Sequence, residues 1–345
     1  MIFSFNNPKS QTYRTAQFEA IQLSKAISNG LITNKNNIKI DINNLTKKIY
    51  NKGIINNNNV SMMKFPDKPS PSFIMNPSPN LMIKPIQITY PENNDNNSKE
   101  NHKKILVLYI FHVFNNRVKN FIKNCIFNDD NIDFIIISNN NSNNKILNNI
   151  SKKNVKILYR NNLGYDFGGW SDALLKNDLY ENYDNYIFVN SSVIGPFLQP
   201  DFKGKWTDFY INGLQDNVKL FGSTINTIGD PLKWAHVQSY IFSMDKTTLK
   251  YLIDCSIFSR TNYAKTFHNA IFDKEVLMSR KIIENNWNIG SLMKYYQNVD
   301  FTFRDKNPSE YSIIFLDDVM YPKNRNITWN EYEIIFMKGN RFQIE

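Results

Sequence analysis

Cysteine is nearly missing from this sequence, with two residues, Cys125 and Cys255, in a chain of 345. They fall in different predicted helices with no metal-ligand spacing around them, which excludes a disulfide scaffold and a structural zinc and favours a reducing compartment. Long hydrophobic runs are also lacking. The longest, "ILVLYIFHVF" at 105–114, is about half of the ~20 residues needed to span a bilayer, so it reads as a buried strand and no transmembrane segment is expected. The start, "MIFSFNNPKS", has no basic segment, apolar run or small-residue cleavage site, so a cytoplasmic protein is expected, with a peripheral place at a membrane surface left open. Neither a G-x-G-x-x-G dinucleotide fingerprint nor a P-loop ending in Gly-Lys-Ser/Thr occurs. Arginine is heavily outnumbered by lysine and forms no stripe. No nucleic-acid partner is therefore expected, although the formal net charge of +10 suits an anionic ligand such as a nucleotide diphosphate.

What is present is enough for a sizeable core: 41% hydrophobic residues, with aromatics making up 14% of the chain, suffice for one large α/β domain or a domain with an appendage. Asparagine makes up roughly one residue in six and clusters in runs such as 56–59 and 139–144, where its tolerance of turns suits loops. In the first hundred residues, Phe18, Ile21, Leu23 and Ile27 predict a helix over about 11–29 that stops at Gly30. Five prolines between 65 and 80 then exclude helix interior and sheet centre. A polar stretch ends this partly helical, low-complexity extension, and a domain boundary is expected near 100, giving units 1–100 and 101–345.

Beyond the boundary, strands and helices alternate. Strands are predicted over 105–111, 134–138, 154–160 and 185–190, and helices over 115–127 and 170–179. This is a βαβ pattern, so a Rossmann-like, mostly parallel sheet flanked by helices is expected, with ligands bound outside the carboxyl ends of its strands. The loops after 111, 138, 160 and 190 are then the candidate site. His112, with Phe114 near it, opens the first loop and Asn139 the second. The third reads "NNLGYDFGGW". Its glycines can admit a ligand close to the backbone and Asp166 can accept ribose or sugar hydroxyls, or the stretch is a glycine-rich turn before a helix. The fourth reads "NSSVIGP". Asn190 and Ser192 stand where a metal-dependent sugar transferase would carry paired aspartates, so a divalent cation, Mn or Mg, is left open there. Asp317 and Asp318, after a predicted strand "YSIIFL", are a second place for a carboxylate pair.

The ordered set "RNNLGYDFGGWSDALL", "YDNYIFVNSSVIGPFL", "HVQSYIFSMD", "DKEVLMSRKIIENNWNIGSLM" and "EYEIIFMKGNR" resembles the rhamnan-synthesis-F-like glycosyltransferases over about 103–341. The resemblance implies a GT-A type fold and transfer of a sugar from a nucleotide-diphosphate donor to a saccharide or glycoconjugate. It implies donor contacts from His112, Asn139, Asn162, Gly164, Asp166, Trp170, Asn190 and Ser192, and acceptor contacts from His236, Gln238 and Ser239. Glu275, with Asp273 two residues before it, matches the family's acidic segment. A single carboxylate that removes the acceptor hydroxyl's proton is the minimum that inversion requires, and Glu275 is the expected base. Both acids could instead be solvated residues of a helix's first turn, and His236 a structural histidine. Lys338 and Arg341 are expected to neutralise the diphosphate. A catalytically silent nucleotide-sugar or glycan-binding module is the rival reading.

Overall fold

The computed structural model of the chain describes residues 103–339, apart from 141–146, 148–149, 228–229, 314, 316–322 and 325–326. The predicted helix at 11–29, the rest of the extension, Asp317, Asp318 and Arg341 lie outside the described residues.

The first ten strands in chain order are β1 (Ile105–Phe111), β2 (Ile132–Ser138), β3 (Val155–Tyr159), β4 (Asn185–Asn190), β5 (Val193–Ile194), β6 (Val218–Gly222), β7 (Ile225–Asn226), β8 (His236–Val237), β9 (Ile241–Asp245) and β10 (Asn288–Ser291). Seven of them form one sheet in the order β10-β6-β9-β4-β1-β2-β3. Within it β9 alone runs antiparallel to its neighbours β4 and β6, and every other pairing is parallel. The expectation of a mostly parallel α/β sheet holds, and the carboxyl ends of β1 to β4 share one edge with the beginning of β9.

Period-two alternation along β1 builds two cores. Leu106, Leu108 and Ile110 point to one face, under Phe167 and Trp170 of the Tyr165–Leu175 helix. Val107, Tyr109 and Phe111 point to the other, where Tyr109 stacks on Phe121 of the Asn116–Asn124 helix. Burial on both faces explains why the run is continuously apolar. Asn115 starts the 116–124 helix by accepting a 3.2 Å hydrogen bond from the Val118 amide.

Four elements differ from the sequence expectation. The helix predicted over 170–179 begins at Tyr165, ends at Leu175 and passes into a 3-10 stretch, Lys176–Asn182. The segment "VQSYIF" at 237–242 reads in the sequence as one buried strand carrying Gln238 and Ser239, and it is broken, β8 stopping at Val237 and β9 starting at Ile241. Glu275 lies not in the first turn of a helix but inside a π-helical turn, Ile271–Val276, between the α-helical stretches Phe267–Ala270 and Leu277–Glu284. Of the strand predicted over 311–316, the described residues 311–313 are bends.

Candidate active site

The first three loops at the carboxyl edge are knitted together by side chains. His112, exposed after β1, places Nδ1 3.2 Å from the Asn139 carbonyl. The buried Asn139 donates from Nδ2 to Asn162 Oδ1 at 3.2 Å. Phe114 packs edge-on against Phe111. Sequence reasoning passed over the residue that fixes this corner. Arg160, directly after β3, donates to Asn139 Oδ1 at 2.8 Å, to the Leu163 carbonyl at 2.7 Å and to Asp172 at 2.7 Å. A guanidinium with three acceptors locks both loops to the 165–175 helix. Tyr263 donates its hydroxyl to the other oxygen of Asp172. An arginine at a strand end followed twelve positions later by an aspartate on the next helix was the available signal.

The glycines of "NNLGYDFGGW" serve the fold. Gly164 sits at φ 74° as the residue before the helix, and a Cβ there would meet Tyr263 at 2.8 Å. Gly168 and Gly169 lie inside the helix, where a Cβ would come within 2.1 Å of the Leu163 carbonyl oxygen and of Ile110 Cδ1 respectively. What approaches the backbone is the protein itself. Trp170 also departs from its expected role beside the donor. Its ring is fully buried, edge-on to Phe167, Phe188 and Phe242, because a helix starting at Tyr165 turns position 170 onto the sheet.

Asp166 and Glu275 converge at the end of β4. Asn190 donates from Nδ2 to Asp166 Oδ2 at 3.0 Å, and the same nitrogen lies 3.4 Å from the Ser239 carbonyl. Ser239, in the turn between β8 and β9, donates its backbone N–H to Glu275 Oε1 at 2.7 Å. Glu275 Oε2 makes no hydrogen bond among the described residues. Burial, reinforced by the negative charge of Glu275, raises the Asp166 pKa from 3.8 to about 6, against the pull of Asn190 and of Lys338. Lys338 is brought there by the Met337–Lys338 strand, which pairs antiparallel with β5, and the Gly339 amide donates to the Ser192 carbonyl at 2.6 Å.

His236 is buried, and burial lowers its pKa although Glu275 opposes the effect. Its Nδ1 hydrogen donates to the Trp234 carbonyl at 2.6 Å, which leaves Nε2 as an acceptor in the neutral ring. Gln238 does not face an acceptor. It is buried, and its Oε1 accepts from Thr224 Oγ1 at 2.8 Å, because the chain after β8 turns inward. Asp273 is likewise not brought to Glu275. Residues two apart on a helix face different sides, and Asp273 is exposed and accepts from Asn269 Nδ2 at 2.6 Å.

The π turn has its own anchor. Lys274 is buried and its ammonium donates to the carbonyls of Ser256 at 2.7 Å and Ile257 at 2.9 Å, with burial lowering its pKa. Val237 N donates to Ser279 Oγ at 3.0 Å, tying the following helix to β8. A π turn widens the helix by one residue and changes the direction of the side chains it carries. Here it aims Glu275 at the Ser239 amide.

The residues at the usual metal position do not fit a protein-held divalent ion. Asn190 Oδ1 accepts from both the amide and the hydroxyl of Ser192, and its nitrogen faces Asp166. Among the described residues no group of three or more His, Cys, Asp or Glu is placed to hold a metal. Nor, among them, is any helix long and apolar enough to cross a membrane.

A family model described as rhamnan synthesis protein F matches residues 134–334. Two proteins of Vibrio anguillarum named virulence protein VirA are 34% identical over 108 residues, which is 30% of this chain and 30% of theirs, so the match covers under a third of the length of these curated relatives. Among solved structures, a cytidylyltransferase from Leptospira borgpetersenii is 12% identical with a TM-score of 0.32, over 59% of this chain and 78% of that one. The glycosyltransferase GlyE of Streptococcus pneumoniae is 10% identical with a TM-score of 0.30, over 56% of this chain and 46% of that one.

Proposed function

The chain belongs to the rhamnan synthesis protein F family, and from that membership and the geometry of its site we propose that it is a glycosyltransferase of the GT-A type. It moves a sugar from a nucleotide-diphosphate donor to a saccharide or glycoconjugate, with inversion, in glycan synthesis. The observation that carries this reading is the meeting of two carboxylates from distant segments, Asp166 and Glu275, at the carboxyl edge of a mostly parallel sheet, with the Lys338 charge beside them.

In this reading His112, Asn139 and Asn162 border the nucleotide, and Asp166 accepts a hydroxyl of the donor sugar. Glu275, steadied by the Ser239 amide through one oxygen, uses the other to take the proton of the acceptor hydroxyl as that oxygen attacks the anomeric carbon. The bond from the anomeric carbon to the diphosphate breaks with its electron pair going to the leaving group, whose charge Lys338 offsets. No step is routed through a metal. His236, neutral and buried, accepts a hydrogen bond through Nε2 on the acceptor side.

The test is a panel of UDP-, dTDP-, GDP- and CMP-activated sugars, a rhamnosyl donor first, scored for thermal stabilisation and for nucleotide release with and without manganese. A transferase both is stabilised by one donor and releases its nucleotide when an acceptor is added. Stabilisation without release in any condition would leave the binding-module reading instead, and neither response to any donor would remove both.

A further inference from the structure

Next to the two carboxylates the surface carries rings that the core does not use. Phe267 opens the Phe267–Ala270 helix, held there by the Asn269 amide donating to Thr266 Oγ1 at 3.1 Å, and it is 66% exposed. Tyr165 meets it edge to face, with ring centroids 6.3 Å apart. Tyr165 also holds φ at 56°, a left-handed backbone that costs a bulky residue and tends to persist where function needs it. Loop 162–165 and segment 263–265 line an open pocket of about 370 Å³, to which Leu163, 58% exposed, adds apolar surface and Lys265 adds a polar group. The apolar and polar groups are thus contiguous.

That mixture matches a pyranose. A sugar ring offers a face of C–H groups, which the negative face of an aromatic ring attracts, and a rim of hydroxyls for an ammonium. Its position is set by the chain: Tyr165 immediately precedes Asp166, and the helix that Phe267 opens carries Glu275 in its π turn. The surface is open, which suits a glycan that continues past its reacting residue, whereas a nucleotide base is better held in an enclosed slot. We propose that Tyr165 and Phe267 form a platform for the acceptor saccharide beside the transfer centre, a proposal that rests on the sugar-transfer reading above.

The experiment is saturation-transfer NMR of the full chain with the methyl glycosides of glucose, galactose, mannose and rhamnose. At least one should contact the wild type through its ring C–H protons. Phe267→Ala, whose melting temperature should be unchanged because the ring is exposed, should weaken that contact at least about fivefold, and Phe267→Trp should keep it. UDP and dTDP should neither displace the glycoside nor lose any stabilising effect in Phe267→Ala. No glycoside contact with the wild type, a contact that survives Phe267→Ala, or displacement by a nucleotide would each overturn the platform. Failure of the transfer reading would look different, as a glycoside contact intact in a chain that neither binds nor turns over any activated sugar.

Discussion

The two carboxylates of the site are held in opposite ways. Asp166 sits in the first turn of a regular helix whose position is dictated by glycine packing, and burial raises its affinity for a proton. Glu275 sits in an irregular π turn pinned by a buried lysine, half exposed, with one oxygen fixed on the Ser239 amide. On the proposed reading the first grips a hydroxyl of the donor and the second takes the acceptor's proton. It also implies that their substitutions have different signatures.

Glu275→Gln should have the largest effect. Glutamine keeps an oxygen for the Ser239 amide, so the fold and donor-dependent stabilisation should persist while transfer falls by at least ~100-fold. Steady-state rates beside melting curves check this, and unchanged transfer would move the base to Asp166. Asp166→Asn should act mainly on donor binding and on pH dependence, with the donor KM rising about tenfold as a charged hydrogen bond is lost. In the wild type the folded state holds the Asp166 proton up to about pH 6, the reference value being 3.8. Ionisation above that pH therefore costs folded-state stability, and the cost disappears as pH falls through 6 toward 4. The asparagine variant should be more stable than wild type at pH 7.5, by about 1–2 kcal/mol, and its stability should lack that rise on acidification. Its rate profile should also lose an acid limb near pH 6; a limb that stays would tie it to another group. Trp170→Phe should do least. Nε1 of Trp170 is buried without a partner among the described residues, so phenylalanine trades some packing for the removal of an unsatisfied donor. Stability should shift by about 1 kcal/mol or less with the donor KM unchanged. A raised donor KM would return Trp170 to the site.

The same contrast marks what could be read from the sequence. β1 and β4 fall where their apolar runs place them, and the loops after β1, β3 and β4 were identifiable as candidates because open parallel sheets present ligands there. The start of the 165–175 helix was hidden, since three glycines argue for a turn. Only the contact with Ile110 and the Leu163 carbonyl shows why Gly168 and Gly169 are worth their conformational cost inside a helix. Trp170 was misassigned for the same reason, a helix begun five residues late pointing the ring elsewhere. Glu275 was singled out by resemblance, but no residue pattern marks a π turn, and the Lys274 anchor is a contact between segments that only the fold supplies. Gln238 read as part of a continuous strand, because the turn at 239–240 contains neither glycine nor proline.

The antiparallel β9 has a consequence for how the chain is made. It is synthesised after β6 yet lies between β4 and β6, and among the described residues β6 pairs with no earlier strand, so the two are joined only once β9 is made. Until then the apolar edge of β4 at Ile187–Val189 is unpaired, a hazard for association with other chains on a ribosome or at high expression. The turn that donates to Glu275 arrives on the same strand that closes the edge. Before β9 pairs, therefore, the amide that steadies Glu275 is not in place, and closure of the β4 edge and completion of the site coincide.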